Sequence, residues 1–334
     1  MKILKSIFGT SGKINSYYYT RLSGWQKTAY ISIMQGIISY SKKIKIAPMS
    51  SNEIALVYNY ILMDNPMIFQ TSSYSLTSSP EMNKYIVAPI YKYSKGEARE
   101  YENAVMEYLK KFDAVKSKSD TEKELFIHDY CVKKIKYDYS FGEHAYSVLG
   151  VVLNNTAVCE GIAKFVKLAL NYLGVKCLVV SGEGRNPVRG EAEKHAWNIV
   201  KLGDNSYHLD VTFDLCLSDR INRYDYFNLS DDDIKRDHVI ISDSPKCASL
   251  GSDYYSISKQ VVNSPKEMKN YIADNLRHGN KSILFKIANA DEVDNIEDRV
   301  LNAAIGLYEE IINENGNVEL HYNIGQMIFE VNFS

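Results

Sequence analysis

Apolar residues recur along this chain at two periods, and the switch between them divides it. The first hundred or so residues run at a helical period. Leu22, Trp25, Ala29, Ile33 and Ile37 share one face, with Ser23 placed to cap it. Ile54, Val57, Tyr58, Ile61 and Leu62 share another, which starts near Ser51 and is stopped by Asp64-Asn65-Pro66. Residues 71–79, rich in Ser and Thr, read as a loop or a sheet edge, and residues 85–91 read as a short strand that Pro89 would confine to an edge. A long helix is expected after Gly96, with Tyr101, Val105, Tyr108, Leu109 and Phe112 on one face. Residues 116–119 form a plausible joint. Ser119 and Glu122 then have capping-box spacing for a helix running to about Ile135. Residues 136–157 read as mostly loop.

The clearest helical stripe comes next. Ile162, Phe165, Val166, Ala169, Leu170 and Leu173 fall on one face, and Gly174 ends it. Beyond it the pattern turns to strands. Residues 176–181 form a continuous apolar run, 182–193 read as a loop rich in Gly and charge, and 195–202 with 206–213 read as a hairpin around Gly203-Asp204-Asn205. The acidic stretch at 231–233 reads as loose. From about 249 the order is strand (254–262), helix (265–277), strand (282–288), helix (296–312) and one or two strands (318–333), which suggests a small α+β unit.

Composition narrows the class without setting it. The chain has 334 residues, 45% of them apolar and 24% charged, as in an ordinary soluble globular protein. Net charge is −2, so there is no overall basic footprint for nucleic acid. Residues 1–50 carry +8 and the rest −10, which reads as a basic solvated face or one that meets an anionic surface. Five cysteines, an odd count with no Cys-x-x-Cys, argue against a disulfide framework or a zinc cluster and for a reducing compartment. No signal peptide and no membrane span is read, so a cytoplasmic location is the default.

Candidate chemistry gathers on the strongest helix. Cys159 stands at its first turn, where unpaired backbone N–H groups and the helix dipole favour a thiolate and could hold the oxyanion of an acyl intermediate. The alternative is a small buried residue at a helix start. Downstream, His195 and Asp210 supply an imidazole suited to pair with a thiol and a carboxylate suited to hold that imidazole. His208 lies two residues from Asp210 and is a rival base. His208 and His238 are both read as structural or surface residues.

The local contexts are more specific than the order of the three. Val158-Cys159-Glu160-Gly161-Ile162-Ala163, His195-Ala196-Trp197-Asn198-Ile199-Val200 and Tyr207-His208-Leu209-Asp210-Val211-Thr212-Phe213-Asp214 resemble the three motifs of the transglutaminase-like superfamily. Upstream, Ile127-His128-Asp129-Tyr130, Tyr137-Asp138 and Ala145-Tyr146-Ser147 are similar to the lead-in of bacterial members. The resemblance covers roughly residues 120–240. It implies an α+β fold with a papain-like core, in which a helix bearing Cys159 packs on an antiparallel sheet. Around it would lie a mainly helical N-terminal region (1–115), the core itself (118–248) and a small C-terminal α+β domain (249–334). It implies Cys159 as nucleophile, His195 as general base and acid, and Asp210 as orienting carboxylate. Trp197 would wall the site or pack beside the histidine, and Tyr146 is a candidate for substrate contact or oxyanion support. The expected chemistry is acyl transfer on a protein or peptide amide, as protease, amidase or transglutaminase, with neither cofactor nor metal. A catalytically silent binding or scaffold module is the alternative. Ser206 and Phe213 stand where the family often has Trp, which bears on substrate shape. The C-terminal unit shows no site chemistry and is expected to be a structural or partner-binding appendage.

One geometric condition follows. A three-residue turn at 203–205 would set Asp210 opposite Asn198 and on the wrong face for His195. Pairing the two requires a turn centred near Leu202-Gly203 or a bulge, and such a shift is expected.

Overall fold

The computed structural model describes residues 16–79, 84–219, 221–288, 295–312 and 316–334. The basic residues before Tyr17, Lys2, Lys5 and Lys13, therefore lie outside the described residues. The N-terminal elements are α1 (Tyr17–Arg21), α2 (Gly24–Ser39), β1 (Ile44–Ile46), α3 (Ser51–Asp64), β2 (Thr71–Ser79) and β3 (Lys84–Tyr91). Ser23 with Gln26 and Ser50 with Glu53 close capping boxes that satisfy the free N–H groups at the starts of α2 and α3. The strands order as β1-β3-β2. Pro89 is thus on the central strand and not at an edge as expected. β1 covers only Tyr85, Ile86 and Val87, so one flank of β3 is open at Pro89.

α4 (Lys95–Leu109) and α5 (Asp120–Lys134) follow, the latter with the anticipated Ser119–Glu122 box. Two short parallel strands, β4 (Lys136–Tyr137) and β5 (Thr156–Ala157), lead into α6 (Cys159–Tyr172). Next come β6 (Lys176–Arg185), β7 (Ala192–Leu202), β8 (Asn205–Leu209), α7 (Val211–Leu217), β9 (Phe227–Leu229), α8 (Asp231–Ile234) and β10 (His238–Ile240). These strands form one antiparallel sheet in the order β10-β6-β7-β8-β9. The chain ends with α9 (Tyr254–Ile257), β11 (Val261–Val262), α10 (Pro265–Arg277), β12 (Ser282–Ile287), α11 (Ile296–Ile312), β13 (Val318–Asn323) and β14 (Ile328–Phe333). Residues 254–257 are helical, capped by Asp253, where a strand was expected. The fold is α+β, with a helix packed on an antiparallel sheet at its centre.

The central sheet has two faces of different character. Ala196 and Val200 of β7 pack with α6 residues, and the Asn198 amide donates to the carbonyls of Ala163 and Leu178, both at 2.9 Å. Trp197 and Ile199 alternate onto the other face, where they bury against Val180 and Cys247. Two further departures lie here. Gly182 and Gly184, read as loop, are inside β6. A side chain at Gly182 would drive into the Val239 carbonyl, and one at Gly184 would meet His195 and Phe213, so these glycines permit close packing within a strand. The second hairpin strand stops at Leu209, and the chain turns into α7 where residues to 213 were expected to be extended.

The other regions grip the core through buried polar contacts. Tyr18 donates its hydroxyl to the Val179 carbonyl at 2.6 Å, and Lys167 of α6 donates to the Met63 carbonyl at 2.8 Å beside Asp64. Asp64 also accepts from Tyr18 N, Tyr19 N and the Tyr30 hydroxyl. In the tail, Arg223 pairs with Asp225 and Glu330, and Asp225 accepts from Tyr255 and Asn323. Residues 262–333 have an apolar core of their own. Gly161, in the first turn of α6, lies against the Ala145 and Ser147 carbonyls, and a Cβ there would force the helix start off the 145–147 loop. Gly161→Ala is expected to destabilise by about 1–3 kcal/mol, read from denaturant unfolding. An unchanged midpoint would show that the loop gives way freely.

Candidate active site

Three elements meet where α6 begins. Cys159 is its first residue, half-buried, behind Val158 in an extended conformation (φ −85°, ψ 173°). Val158 N donates to the Ala145 carbonyl at 3.1 Å, which fixes how the chain enters the helix. The N-cap residue, Val158, has no side-chain acceptor to cap this end, where N–H groups of the first turn can meet an anion. The Cys159 thiol lies near enough to the His195 ring to help raise its pKa. The Tyr137 hydroxyl lies near the start of α6, and burial raises its pKa, with the Cys159 sulfur adding to the shift.

His195 and Asp210 are joined through Nε2 and Oδ2 at 2.6 Å, both buried, which leaves Nδ1 of His195 for the sulfur. The hairpin explains how. Leu202 pairs with Asn205 across a two-residue turn, Gly203-Asp204, not the three-residue one. Continued one step past Asn198–Leu209, that register would set Asp210 opposite Trp197, on the face His195 shares. The expected turn centred near Leu202-Gly203 is absent, and the β7–β8 register runs without a bulge. The carboxylate instead reaches His195 diagonally, because the chain leaves the sheet at Asp210 and starts α7. As the N-cap of α7, Asp210 accepts Thr212 N at 3.0 Å and Phe213 N at 3.2 Å through Oδ1. His128 of α5 holds Asp214 at 2.9 Å, which steadies α7.

Burial alone would pull the His195 imidazole down. The Asp210 charge and hydrogen bond, with the Cys159 sulfur, override this and hold its pKa at about 10. Burial would raise the Asp210 carboxyl, but the two imidazoles against it hold it well below the usual range. The ring of His195 is stacked between Phe213, at 4.3 Å, and Trp197, at 5.9 Å. Trp197 itself is buried, and its indole N–H donates to His208 Nδ1 at 3.0 Å, so it packs as a wall beside the histidine and has no donor to spare for substrate. His208 is held by Asp231 on its other nitrogen and does not compete for Asp210. Tyr146 is 45% exposed, on the loop against α6, and its carbonyl accepts from Lys164. Glu160, in the first turn of α6, pairs with the same Lys164.

His238 is the residue that sequence reasoning passed over. It lies on β10 opposite Gly184, and its Nε2 meets Asp210 Oδ2 at 3.2 Å. No spacing along the chain links it to Asp210; only the pairing of β10 with β6 does. Among the described residues, His195, Asp210 and His238 cluster closely, as do His208, Asp231 and Cys247. In both groups hydrogen bonds already occupy the histidine and carboxylate atoms, so neither presents a free set of lone pairs.

Residues 107–211 match the family model of the transglutaminase-like superfamily, which supports a transglutaminase-like domain in this stretch. The match begins before the expected boundary at 118. Among solved structures, the chain is similar to a crystal structure of a TGase, with 15% identity and a TM-score of 0.30, covering 51% of this chain and 50% of that one. It is also similar to a candidate cysteine protease from Cytophaga hutchinsonii, with 12% identity and a TM-score of 0.24, covering 42% of this chain and 61% of that one. The chain thus spans half to three fifths of these structures. No curated protein matches it. No helix among the described residues is long and apolar enough to cross a membrane.

The His195–Asp210 contact has a pH signature. The His195 value is raised from about 6.5 to about 10, so the stability it contributes is complete below pH about 6.5 and is lost as pH rises through 10. Unfolding free energy measured across that window should fall with pH. Asp210→Asn should flatten the slope, and a variant with the wild-type slope would show that the pair does not carry it.

Proposed function

We propose that this protein is a cysteine-dependent acyl-transfer enzyme acting on a protein or peptide amide, with Cys159 as nucleophile, His195 as base and acid, and Asp210 orienting the ring. The observation that carries this reading is the direct Asp210–His195 contact, with the Cys159 thiol near enough to help raise the pKa of the same ring. Paired with imidazolium, the thiolate attacks the carbonyl carbon and forms a C–S bond. The carbonyl oxygen takes up the electron pair and is held by N–H groups at the start of α6. The C–N bond then breaks as His195 gives its proton to the leaving amine, which leaves a thioester. Water resolves the thioester in a hydrolase and an amine does so in a transglutaminase. We favour hydrolysis, since no acceptor feature is recognisable. We also propose the division at 1–115, 118–248 and 249–334. The separate apolar core of 262–333 supports the last unit, while Ala163, Val179 and Ala196 pack into the N-terminal cluster and tie the first unit to α6.

A second reading, a binding module without turnover, draws on one observation: the Tyr137 hydroxyl lies near the Cys159 backbone N–H, where an oxyanion would be held. Burial raises the thiols of Cys131, Cys177, Cys216 and Cys247, which gives internal references. In a short iodoacetamide pulse near neutral pH read by mass spectrometry, Cys159 should label faster than Cys177 or Cys247. On a panel of peptide and amine substrates, Cys159→Ala should abolish turnover and His195→Ala should lower it by at least about 100-fold. Equal labelling of the three thiols and no difference on the panel would favour the binding module.

A further inference from the structure

The carboxylate that orients His195 serves a second imidazole. Asp210 Oδ1 is saturated by Thr212 N and Phe213 N, and Oδ2 receives His195 Nε2 at 2.6 Å and His238 Nε2 at 3.2 Å. We propose that His238 is a positioning residue for the triad, locking Asp210 in the rotation that aims it at His195 and adding a cation behind the Cys159–His195 pair. The proposal rests on the reading of Cys159, His195 and Asp210 given above.

The geometry around His238 is that of a fixed donor. Its Nδ1 is bound by Asp237 Oδ1 at 2.5 Å, so both ring nitrogens face carboxylates and both carry protons. Asp237 is braced in turn by the Tyr226 hydroxyl at 2.8 Å and by Gln326 Nε2 at 3.0 Å. Gln326 belongs to the turn between β13 and β14, so the C-terminal unit reaches the catalytic carboxylate through three side chains. The ring is boxed by Trp197, Phe213 and Tyr226 at 4.9, 4.8 and 5.6 Å. The titratable groups that face it are Asp210 at the start of α7, Asp237 beside β10, His195 on β7, Tyr226, and His208 beyond Trp197. Burial opposes a charge on His238, but the two carboxylates prevail and raise its pKa. A buried carboxylate with four donors has no freedom to swing. With His238 gone, Oδ2 is restrained by His195 alone, the group it is meant to orient.

The test is the pH profile of Cys159 alkylation by iodoacetamide, followed by mass spectrometry on the full chain. In His238→Gln the amide can donate where Nε2 stood, but the cation is lost. The plateau rate should be largely retained, with the acid limb moved to higher pH. In His238→Ala both are lost, and the plateau should fall by at least about tenfold with the circular dichroism unchanged. If His238→Ala does not fold, His238→Gln decides: an acid limb that stays in place overturns the proposal. It also fails if both variants superimpose on the wild type while Cys159 still outpaces Cys177 and Cys247. A wild-type Cys159 that labels no faster than those two would instead overturn the catalytic reading.

Discussion

Everything at this site depends on one buried negative charge. An isolated carboxylate at the position of Asp210 would be prohibitively costly in so dry an environment, and it would take up a proton in preference to staying ionised. Four donors from three elements prevent that: two N–H groups from the first turn of α7 and one imidazole each from β7 and β10. The arrangement is reciprocal. The charge holds the elements in place, and removal of any donor leaves part of it unpaid for. Breaking such a buried pair typically costs about 3–5 kcal/mol, which explains why geometry and stability are hard to separate here.

The surrounding structure can be understood as support for that point. α6 delivers the sulfur to the rim of the sheet, and Gly161 lets its first turn lie against the 145–147 loop. On the N-terminal side, Lys167 and Tyr18 clamp α6 and β6 to α3 and α1. On the other side, Gly184 leaves the space that His195 and Phe213 fill, and Asp237 links β10 to the tail through Gln326. The apolar clusters supply most of the driving force for folding, but it is these polar contacts, each with one satisfying geometry, that set the angles between regions.

Several misreadings of the sequence arose where one local rule was overruled, either by a neighbour distant in the chain or by a stronger local signal. Gly182 and Gly184 look like loop residues, yet a strand absorbs them because Val239 on one side and His195 with Phe213 on the other need the room. Pro89 sits on a central strand because β1 is too short to reach it. Residues 211–213 have the alternation of a strand, but Asp210 caps a helix there. The three-residue turn would have set Asp210 on the wrong face. The actual two-residue turn restores the parity, and one residue of register made the difference. His238 was beyond reach, since its role arises from strand pairing and not from spacing.

What the sequence settled by itself was local and periodic: the apolar face of α6, the capping residues of α2 and α5, and the three motifs that resemble those of the transglutaminase-like superfamily, whose family model matches residues 107–211. These follow from neighbours within a few positions, where backbone hydrogen bonding and side-chain periodicity leave few choices. The tertiary structure alone decided which face Asp210 points to, that a second imidazole shares it, and that the tail is wired to it through Asp237. Each of those depends on groups far apart in the chain being buried together, and only in such a buried setting does an unpaired charge become costly enough to select a single arrangement.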